Sequence, residues 1–268
     1  MRQRIVTGTV LAVVLGALAY FGEGKLEFLF SGACVLLAVI AAYEFTKMSR
    51  HPGILRWFDY IAVLLTALFS TFSVLYFDRI IYFIYVFVFL LGMLLLYALL
   101  FIIIKDFTRH DFANQILTIL YTSLGFIAFA YLRKEGLTLI VYLFLVSMLT
   151  DVFAYFIGIK FGKHRLAPII SPKKSVEGAI GGLVVGSVLA SLFAYYLNVF
   201  DYGFILILML SILLSCISQI GDLIASKFKR EANIKDYSNL FPGHGGVLDR
   251  FDSSLFAAIF LMLAVILI

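Results

Sequence analysis

The sequence has little charge. Only 14% of its 268 residues are Asp, Glu, Lys or Arg, whereas 63% are hydrophobic. Because about a quarter of the residues of a soluble domain are charged, this composition excludes an ordinary soluble protein. It indicates a polytopic membrane protein, one that crosses the bilayer several times.

Proline and cysteine are also scarce. Four prolines leave the long apolar runs largely uninterrupted. Cys34 and Cys216 lie within apolar runs and lack the spacing of metal ligands, so we interpret them as small buried side chains. We find no internal repeat or linker. We therefore expect one integral membrane domain over 1–268, with five helices at about 5–131 and the catalytic helices and loops at about 137–268.

Nine runs are long enough to cross the membrane, because about 20 residues of helix span about 30 Å of hydrocarbon. They are continuously apolar, without the alternation of barrel strands, so we predict an all-α bundle of about nine transmembrane helices. Arg2 and Arg4 ahead of the first run would also suit a signal peptide, but we interpret that run as a retained span. The predicted spans are 5–21, 28–45, 58–77, 80–104, 113–131, 137–159, 176–199, 203–228 and 248–268.

Lysine and arginine lie mainly on one side of these spans. Of the 21 such residues, the other side holds only Lys25, Arg79, Arg133 and Lys134. Cytoplasmic loops are rich in Lys and Arg. We therefore predict an inner (plasma) membrane protein with its N-terminus in the cytoplasm and its C-terminus outside. A membrane surface also accounts for the net charge of +5 without a nucleic-acid partner.

Charge is concentrated in one run near the C-terminal end, residues 226–252, which reads SKFKREANIKDYSNLFPGHGGVLDRFD. Its cations suit phosphate groups, and its carboxylates suit a metal ion. Gly243, Gly245 and Gly246 surround His244 and would let the backbone approach an anion. His244 itself either contacts a phosphate or only holds the loop. The combination indicates phosphoryl chemistry at the cytoplasmic face.

The span at 203–228 carries a polar stripe that includes Asp222. A carboxylate at membrane depth is costly unless it is paired or binds a cation. Asp222 is therefore either a metal ligand or a structural acid paired with a lysine or with serines. The residues that share its helical face are Ser215, Ser218, Gln219, Ser226 and Lys229.

Two further acids, Asp249 and Asp252, are three residues apart in the first turns of the last predicted span. One interpretation is that they only stabilise the positive end of that helix. We favour the other, in which Asp249 and Asp222 hold a divalent cation such as Mg²⁺ through hard oxygen ligands. Asp151 is another acid at membrane level, and we expect it to face the same cavity.

The second long cytoplasmic segment, residues 158–178, reads GIKFGKHRLAPIISPKKSVEG. Ser171-Pro172 predicts a turn, Ser175 a helix N-cap, and Glu177 the first turn of that helix. Lys173 and Lys174 would form an anion site with the helix N-terminus, or else serve only as membrane-anchoring charges.

A glycine ridge follows this segment. Gly178, Gly182 and Gly186 recur every fourth residue, with Ala190 next. Small residues at this spacing predict close packing against a neighbouring helix.

The run S-K-F-K-R, K-D-Y-S and F-P-G-H-G-G-V-L-D-R-F-D resembles the signature of the phosphatidate cytidylyltransferases. The segments SPKKSVEG (171–178) and SQIGDLIAS (218–226) are similar to that family as well. The resemblance implies transfer of a cytidylyl group from CTP to phosphatidic acid, giving CDP-diacylglycerol and pyrophosphate. It also implies a Mg²⁺ requirement, metal-binding roles for Asp222 and Asp249, K⁺ as an assisting cation, and a homodimer.

Under this hypothesis three groups of residues form the site. The catalytic group is Asp222, Asp249, Lys229, Arg230, Lys235 and Arg250. The phosphate-binding group is Lys173, Lys174, Ser171, Ser175, Ser226, His244, Gly245 and Gly246. The metal ligands are Asp222 and Asp249, with Asp252, Asp151 and Glu177 as further candidates.

Two other functions remain open at this point. A CTP-dependent polyprenol kinase would need similar lysines and a metal ion but would transfer the γ-phosphoryl group. An ion or solute transporter would use the membrane-level acids Asp151 and Asp222, but it predicts polar groups that reach both faces. The polar residues here crowd the cytoplasmic ends of the spans, which favours the enzyme.

Overall fold

The structure, a computed structural model, describes residues 13–14, 16–22, 26–50, 54–77 and 82–267. Eight helices in these ranges are long and apolar enough to cross a membrane. They are α1 (Glu27–Met48), α2 (Trp57–Tyr76), α3 (Tyr82–Ile103), α4 (Arg109–Glu135), α5 (Leu137–Phe161), α6 (Val176–Tyr196), α7 (Phe204–Glu231) and α8 (Leu248–Leu267). Residues 16–21 are also helical.

The prediction of a helical multi-pass membrane protein is confirmed. Each of the eight helices matches a predicted span to within about one turn. The first predicted span, 5–21, lies largely outside the described residues, as do Arg2, Arg4, Lys25 and Arg79. The orientation in the membrane stays a prediction.

A short hairpin interrupts the helices between α5 and α6. Strand β1 (Arg165–Ala167) pairs antiparallel with strand β2 (Ser171–Ser175). The turn predicted at Ser171-Pro172 is wrong, because residues 168–170 form the turn and Pro172 lies inside β2. A strand of a two-stranded hairpin tolerates proline when the missing N–H faces away from its partner.

The chain forms two compact units. Unit 1 comprises residues 1–131 and 236–248, and unit 2 comprises residues 132–235 and 249–268. The prediction of a single domain stays a prediction, because a domain can contain more than one compact unit.

Unit 1 has an apolar core in which α2, α3 and α4 supply Phe58, Tyr97 and Ile119. Beside it, Arg50 pairs with the carboxylates of Asp59, at 2.6 Å, and of Asp111. Burial opposes the charge of Arg50, but its hydrogen bonds to these carboxylates and their negative charges raise the pKa of the guanidinium. The pairing joins the segment after α1 to the first turns of α2 and α4.

Unit 2 is built on close contact between α5 and α6. A Cβ atom at Gly178, Gly182 or Gly186 would overlap with the backbone of Ala154 or Thr150. The predicted packing role of the glycine ridge is confirmed. The two backbones meet directly, as small residues allow in membrane helices.

Helices α6 and α7 end in the same way. Asn198 and Asn233 adopt left-handed φ angles of 48° and 57°, which asparagine tolerates better than most residues. After α7, the Asn233 and Ile234 N–H groups donate to the carbonyls of Arg230 and Lys229 at 3.0 and 2.9 Å. These bonds fix the end of α7 immediately after its cationic residues.

Candidate active site

Two acid–lysine contacts in unit 2 bring together α7, α8 and β2. The ammonium group of Lys174 on β2 donates to Asp222 Oδ2 on α7. Lys229 on α7 donates to Asp249 Oδ1 at 2.9 Å and lies 3.7 Å from Asp252 Oδ2, both on α8. Elements far apart in the chain therefore supply one charged cluster.

Burial makes this cluster unusual for charged groups. The Asp249 side chain is 3% exposed and that of Lys229 is 10% exposed. Charges removed from water to this extent persist only when they are paired. The Lys229–Asp249 contact thus offsets the cost of burying both side chains.

Asp151 on α5 extends the cluster. Its charge interacts with those of Lys174 and Asp222, and its carboxylate also contacts the side chain of Ser253. Asp252 likewise interacts with both Asp222 and Asp151. Asp222, Asp249 and Asp252 pair with two lysines, Lys174 and Lys229, so carboxylates outnumber ammonium groups in these contacts. The expectation that Asp151 faces the same cavity stays a prediction.

Gly221 explains how α7 and α8 come close enough to form the cluster. A Cβ atom at this position would lie 3.0 Å from the Asp252 carbonyl oxygen and 3.2 Å from the Phe256 ring. Contacts this short leave little room for any side chain. The glycine beside Asp222 lets the helix that carries Asp252 approach.

The polar residues along one face of α7 form hydrogen bonds with different partners. Ser215 and Thr150 share a hydrogen bond at 2.7 Å, and Gln219 donates to the Ala179 carbonyl at 3.2 Å. Ser226 donates to Asp222 Oδ1 at 3.4 Å. Asp222 thus has the lysine and serine contacts that its structural interpretation predicts. Its carboxylate is still 20% exposed and open to a ligand.

The hairpin separates the two neighbouring lysines. Successive side chains of a strand point to opposite faces, so Lys174 faces Asp222 while Lys173 is exposed. Ser175, which follows, is the predicted N-cap, and its hydroxyl accepts the Gly178 N–H at 3.1 Å. Ser171 begins the strand and is half-buried. Lys174 therefore belongs to the acid cluster, whereas Lys173 is the exposed cation of the two.

Glu177 has local partners. Its carboxylate accepts the Lys163 N–H at 3.0 Å and pairs with His164 Nδ1 at 2.6 Å. These contacts tie the end of α5 to the start of α6. Of the acids predicted as metal ligands, Glu177 is therefore the one most clearly engaged in holding a loop.

The glycine-rich loop lies in unit 1 and forms a tight turn. Gly243 and Gly245 have φ angles of 78° and 81°, which favour glycine. Phe241 N–H donates to the Gly245 carbonyl at 2.9 Å, and His244 N–H donates to the Phe241 carbonyl at 2.8 Å. The half-buried His244 is held by the turn through its backbone, and its contact with a phosphate stays a prediction.

Glu44 on α1, which the sequence analysis missed, binds the end of this loop. Its carboxylate accepts hydrogen bonds from the Val247 and Leu248 N–H groups, each at 3.0 Å, and from Ser238 Oγ at 2.6 Å. These two N–H groups at the start of α8 are therefore already bound by a protein anion. A lone buried acid in the apolar run AAYEFTK was the one signal in the sequence.

The remaining residues of the predicted catalytic group are exposed cations. Arg230 donates to the backbone carbonyls of Ile170 at 3.3 Å and Ile234 at 3.1 Å. Lys235 and Arg250 lie on the surface. Their exposure leaves them accessible to an anionic substrate, so their roles stay predictions.

The predicted magnesium site involves few donor side chains. Among the described residues, no group of three or more His, Cys, Asp or Glu side chains could hold a metal ion alone. Protein sites for Mg²⁺ typically use one or two carboxylates and complete the shell with water and substrate phosphates. The metal-binding roles of Asp222 and Asp249, with Asp252 and Asp151 as further candidates, therefore stay predictions.

Comparison with known proteins gives a consistent result. A model described as "Cytidylyltransferase family" matches residues 2–268. The chain is 35% identical to a phosphatidate cytidylyltransferase of Bacillus subtilis (strain 168), over 97% of this chain and 96% of that protein.

Two staphylococcal proteins with the same name are also similar. The identity is 43% to that of Staphylococcus haemolyticus (strain JCSC1435) and 42% to that of Staphylococcus aureus (strain COL). Each of these alignments covers 56% of this chain. The chain thus spans 57% of the length of these staphylococcal relatives.

Proposed function

Because the chain belongs to the cytidylyltransferase family, we propose that it transfers the cytidylyl group of CTP to phosphatidic acid in phospholipid biosynthesis. The products are CDP-diacylglycerol and pyrophosphate. The acid–lysine cluster of Asp222, Lys174, Lys229 and Asp249 is the observation that carries this proposal. It combines carboxylates for a metal ion with cations for phosphate groups.

The nucleophile comes from the lipid substrate. The second pKa of a phosphomonoester is about 6, so phosphatidate presents an ionised oxygen at neutral pH. This oxygen attacks the α-phosphorus of CTP and forms a new P–O bond. The bond from that phosphorus to the oxygen of the β-phosphate breaks, and pyrophosphate leaves. No side chain has to remove a proton.

The barrier to this reaction is mainly electrostatic, because two anions must meet and negative charge develops on the leaving pyrophosphate. Lys174 and Lys229 provide positive charge within the cluster. Lys173, Arg230, Lys235 and Arg250 are exposed and can bind the outer phosphate oxygens. The protein would therefore act by positioning and by charge neutralisation.

Asp222 and Asp249 would hold Mg²⁺. When bound, this ion polarises the α-phosphate and neutralises charge on the leaving group. Asp252 and Asp151 are the further candidate ligands of this site. K⁺ as an assisting cation and a homodimer, both implied by the family resemblance, belong to the same proposal.

The reaction requires access to both water and lipid. We place the site at the cytoplasmic face of the inner membrane, where CTP arrives from water and phosphatidic acid from the bilayer. A cysteine at the exposed position 173, in a chain whose two native cysteines are replaced, should react with an impermeant maleimide from the cytoplasmic side only. Labelling from outside would contradict this orientation.

Product identification tests the proposal directly. Full-length protein in vesicles containing phosphatidic acid should convert α-labelled CTP into labelled CDP-diacylglycerol and release one pyrophosphate per turnover. Release of labelled CDP with transfer of the γ-phosphate would instead support the lipid kinase. Solute movement without any chemical product would support the transporter.

A further inference from the structure

Glu44 is a buried carboxylate that the proposed reaction does not use. It lies in the apolar helix α1 and is 3% exposed. An acid at such a position is strongly disfavoured unless hydrogen bonds satisfy it. Its bonding partners therefore indicate why the chain has an acid there.

Three hydrogen-bond donors to Glu44 belong to the segment that leads into α8. Ser238 Oγ and Val247 N–H donate to Oε1, and Leu248 N–H donates to Oε2. The partners are about 200 residues away in sequence, with separations of 194, 203 and 204. Glu44 thus fastens both ends of the glycine-rich loop to α1.

The bonds to Val247 and Leu248 also cap α8. The first N–H groups of a helix have no partner within it, and a carboxylate near them is favoured by the helix dipole. Ser, Thr, Asp or Asn just before a helix commonly fills this role. Here Gly246 and Val247 precede the helix, and an acid from another helix supplies the oxygens instead.

Gly246 provides the space for this contact. A Cβ atom at position 246 would overlap with the Glu44 carboxylate. The absence of a side chain lets the acid reach the backbone directly. The glycine and the acid therefore form one fitted pair within unit 1.

The start of α8 determines the directions of the side chains that follow. Asp249 comes immediately after Leu248, and Asp252 comes four residues after Leu248. If the first turn of α8 unwound, Asp249 in that turn would be redirected, and Asp252 would lie at the new start of the helix. A group that fixes this turn therefore determines the directions of the Asp249 and Asp252 side chains.

We infer that Glu44 is a positioning residue that sets the first turn of α8 and hence the geometry of Asp249 and Asp252. The inference deepens the proposed function and rests on it. Residues that orient metal ligands typically change metal affinity or activity by about 10- to 100-fold when they are replaced. Glu44 acts through the backbone, so its effect should appear in loop order as well as in catalysis.

The variant Glu44→Gln tests this role. An amide keeps one acceptor oxygen but places an NH₂ group opposite an N–H or O–H donor. We expect amide hydrogen exchange at 246–251 to be about tenfold faster without substrate or metal. We also expect about a tenfold fall in kcat and a similar rise in the Mg²⁺ concentration for half-maximal rate, with little change in the KM for CTP.

Three other variants separate positioning from general stability. Glu44→Asp keeps the charge with a shorter reach, so it should fall between wild type and Glu44→Gln. Ser238→Ala removes one donor and leaves both helix N–H bonds, so it should change exchange at 246–251 less than Glu44→Gln does. Asp59→Asn removes a buried acid bound to Arg50 in the same unit and should lower Tm without changing either exchange at 246–251 or the Mg²⁺ dependence.

Two results would overturn the inference. One is normal exchange at 246–251 in Glu44→Gln. The other is equal changes in Mg²⁺ dependence in Glu44→Gln and Asp59→Asn. The exchange measurement needs no turnover, so it remains informative if the wild-type protein makes a product other than CDP-diacylglycerol. That product result would refute the proposed function separately.

Discussion

Lys229 donates to Asp249 at 2.9 Å in an ion pair that is almost fully buried, between the end of α7 and the start of α8. Removing one partner of such a pair leaves the other charged and desolvated. The cost of doing so is typically 3–5 kcal/mol, far above that of a surface pair. This contrast makes the pair testable against a neighbour on the same helix.

We predict that Lys229→Ala lowers the free energy of unfolding by about 3 kcal/mol and also removes activity. Lys227→Ala is the matched control, because Lys227 makes an exposed 3.1 Å pair with Glu231. That pair should contribute less than about 0.5 kcal/mol. Thermal unfolding in detergent measures both effects, and equal Tm values for the two variants would contradict the assigned burial.

Asp222→Asn and Asp249→Asn should each reduce kcat/KM at least about a hundredfold, because a metal ion supplies several kcal/mol of transition-state stabilisation. Asparagine preserves the shape of the side chain, so both proteins should still insert in the membrane. Asp201→Asn, an exposed acid in the connection between α6 and α7, should behave as wild type. Substantial Mg²⁺-dependent activity in either site variant would refute the metal assignment.

The two neighbouring lysines of β2 should differ in effect. Lys174→Ala removes the partner of Asp222, whereas Lys173→Ala removes an exposed cation. We expect Lys174→Ala to lower kcat about tenfold more than Lys173→Ala does, because charge close to the reacting groups is worth more than exposed charge. Steady-state kinetics at varied CTP would show this, and identical kinetics for the two variants would contradict a special role for Lys174 in the reaction.

Glycine substitutions test the helix contact in unit 2. Gly182→Ala would push a methyl group into the backbone of Thr150 and Ala154, so we expect a loss of about 1–3 kcal/mol. Gly92→Ala on α3 is the matched control, because no atom lies within 4 Å of the added Cβ. It should be neutral or slightly stabilising, since alanine favours helix. A Tm unchanged in Gly182→Ala would contradict the close approach of α5 and α6.

Local patterns in the sequence were enough to predict much of the fold. Apolar runs located the eight described helices, because burying a helix in lipid requires a continuous apolar stretch of fixed length. Glycine spacing predicted the contact of α5 and α6, and Ser175 predicted the start of α6. In each case the physical cause lies within a few residues of the signal.

Features that depend on distant partners escaped prediction. Asp222 and Lys174 are 48 residues apart in the sequence, and Glu44 and Leu248 are 204 residues apart. No local sequence pattern predicts either contact. The hairpin was missed because its strands are only three and five residues long and lack clear alternation. Without the strand, the opposite directions of Lys173 and Lys174 could not be foreseen.

The contact of α5 with α6 through bare backbone has a consequence for ligand capture. Where main chains touch, there are few side chains whose rotamers could relax, so the helix pair and the short hairpin that joins it should be stiff. Lys174 lies on that hairpin, so most of its conformational freedom is already lost when the chain folds. Lys174 therefore loses less conformational entropy when an anionic ligand binds, and this favours binding.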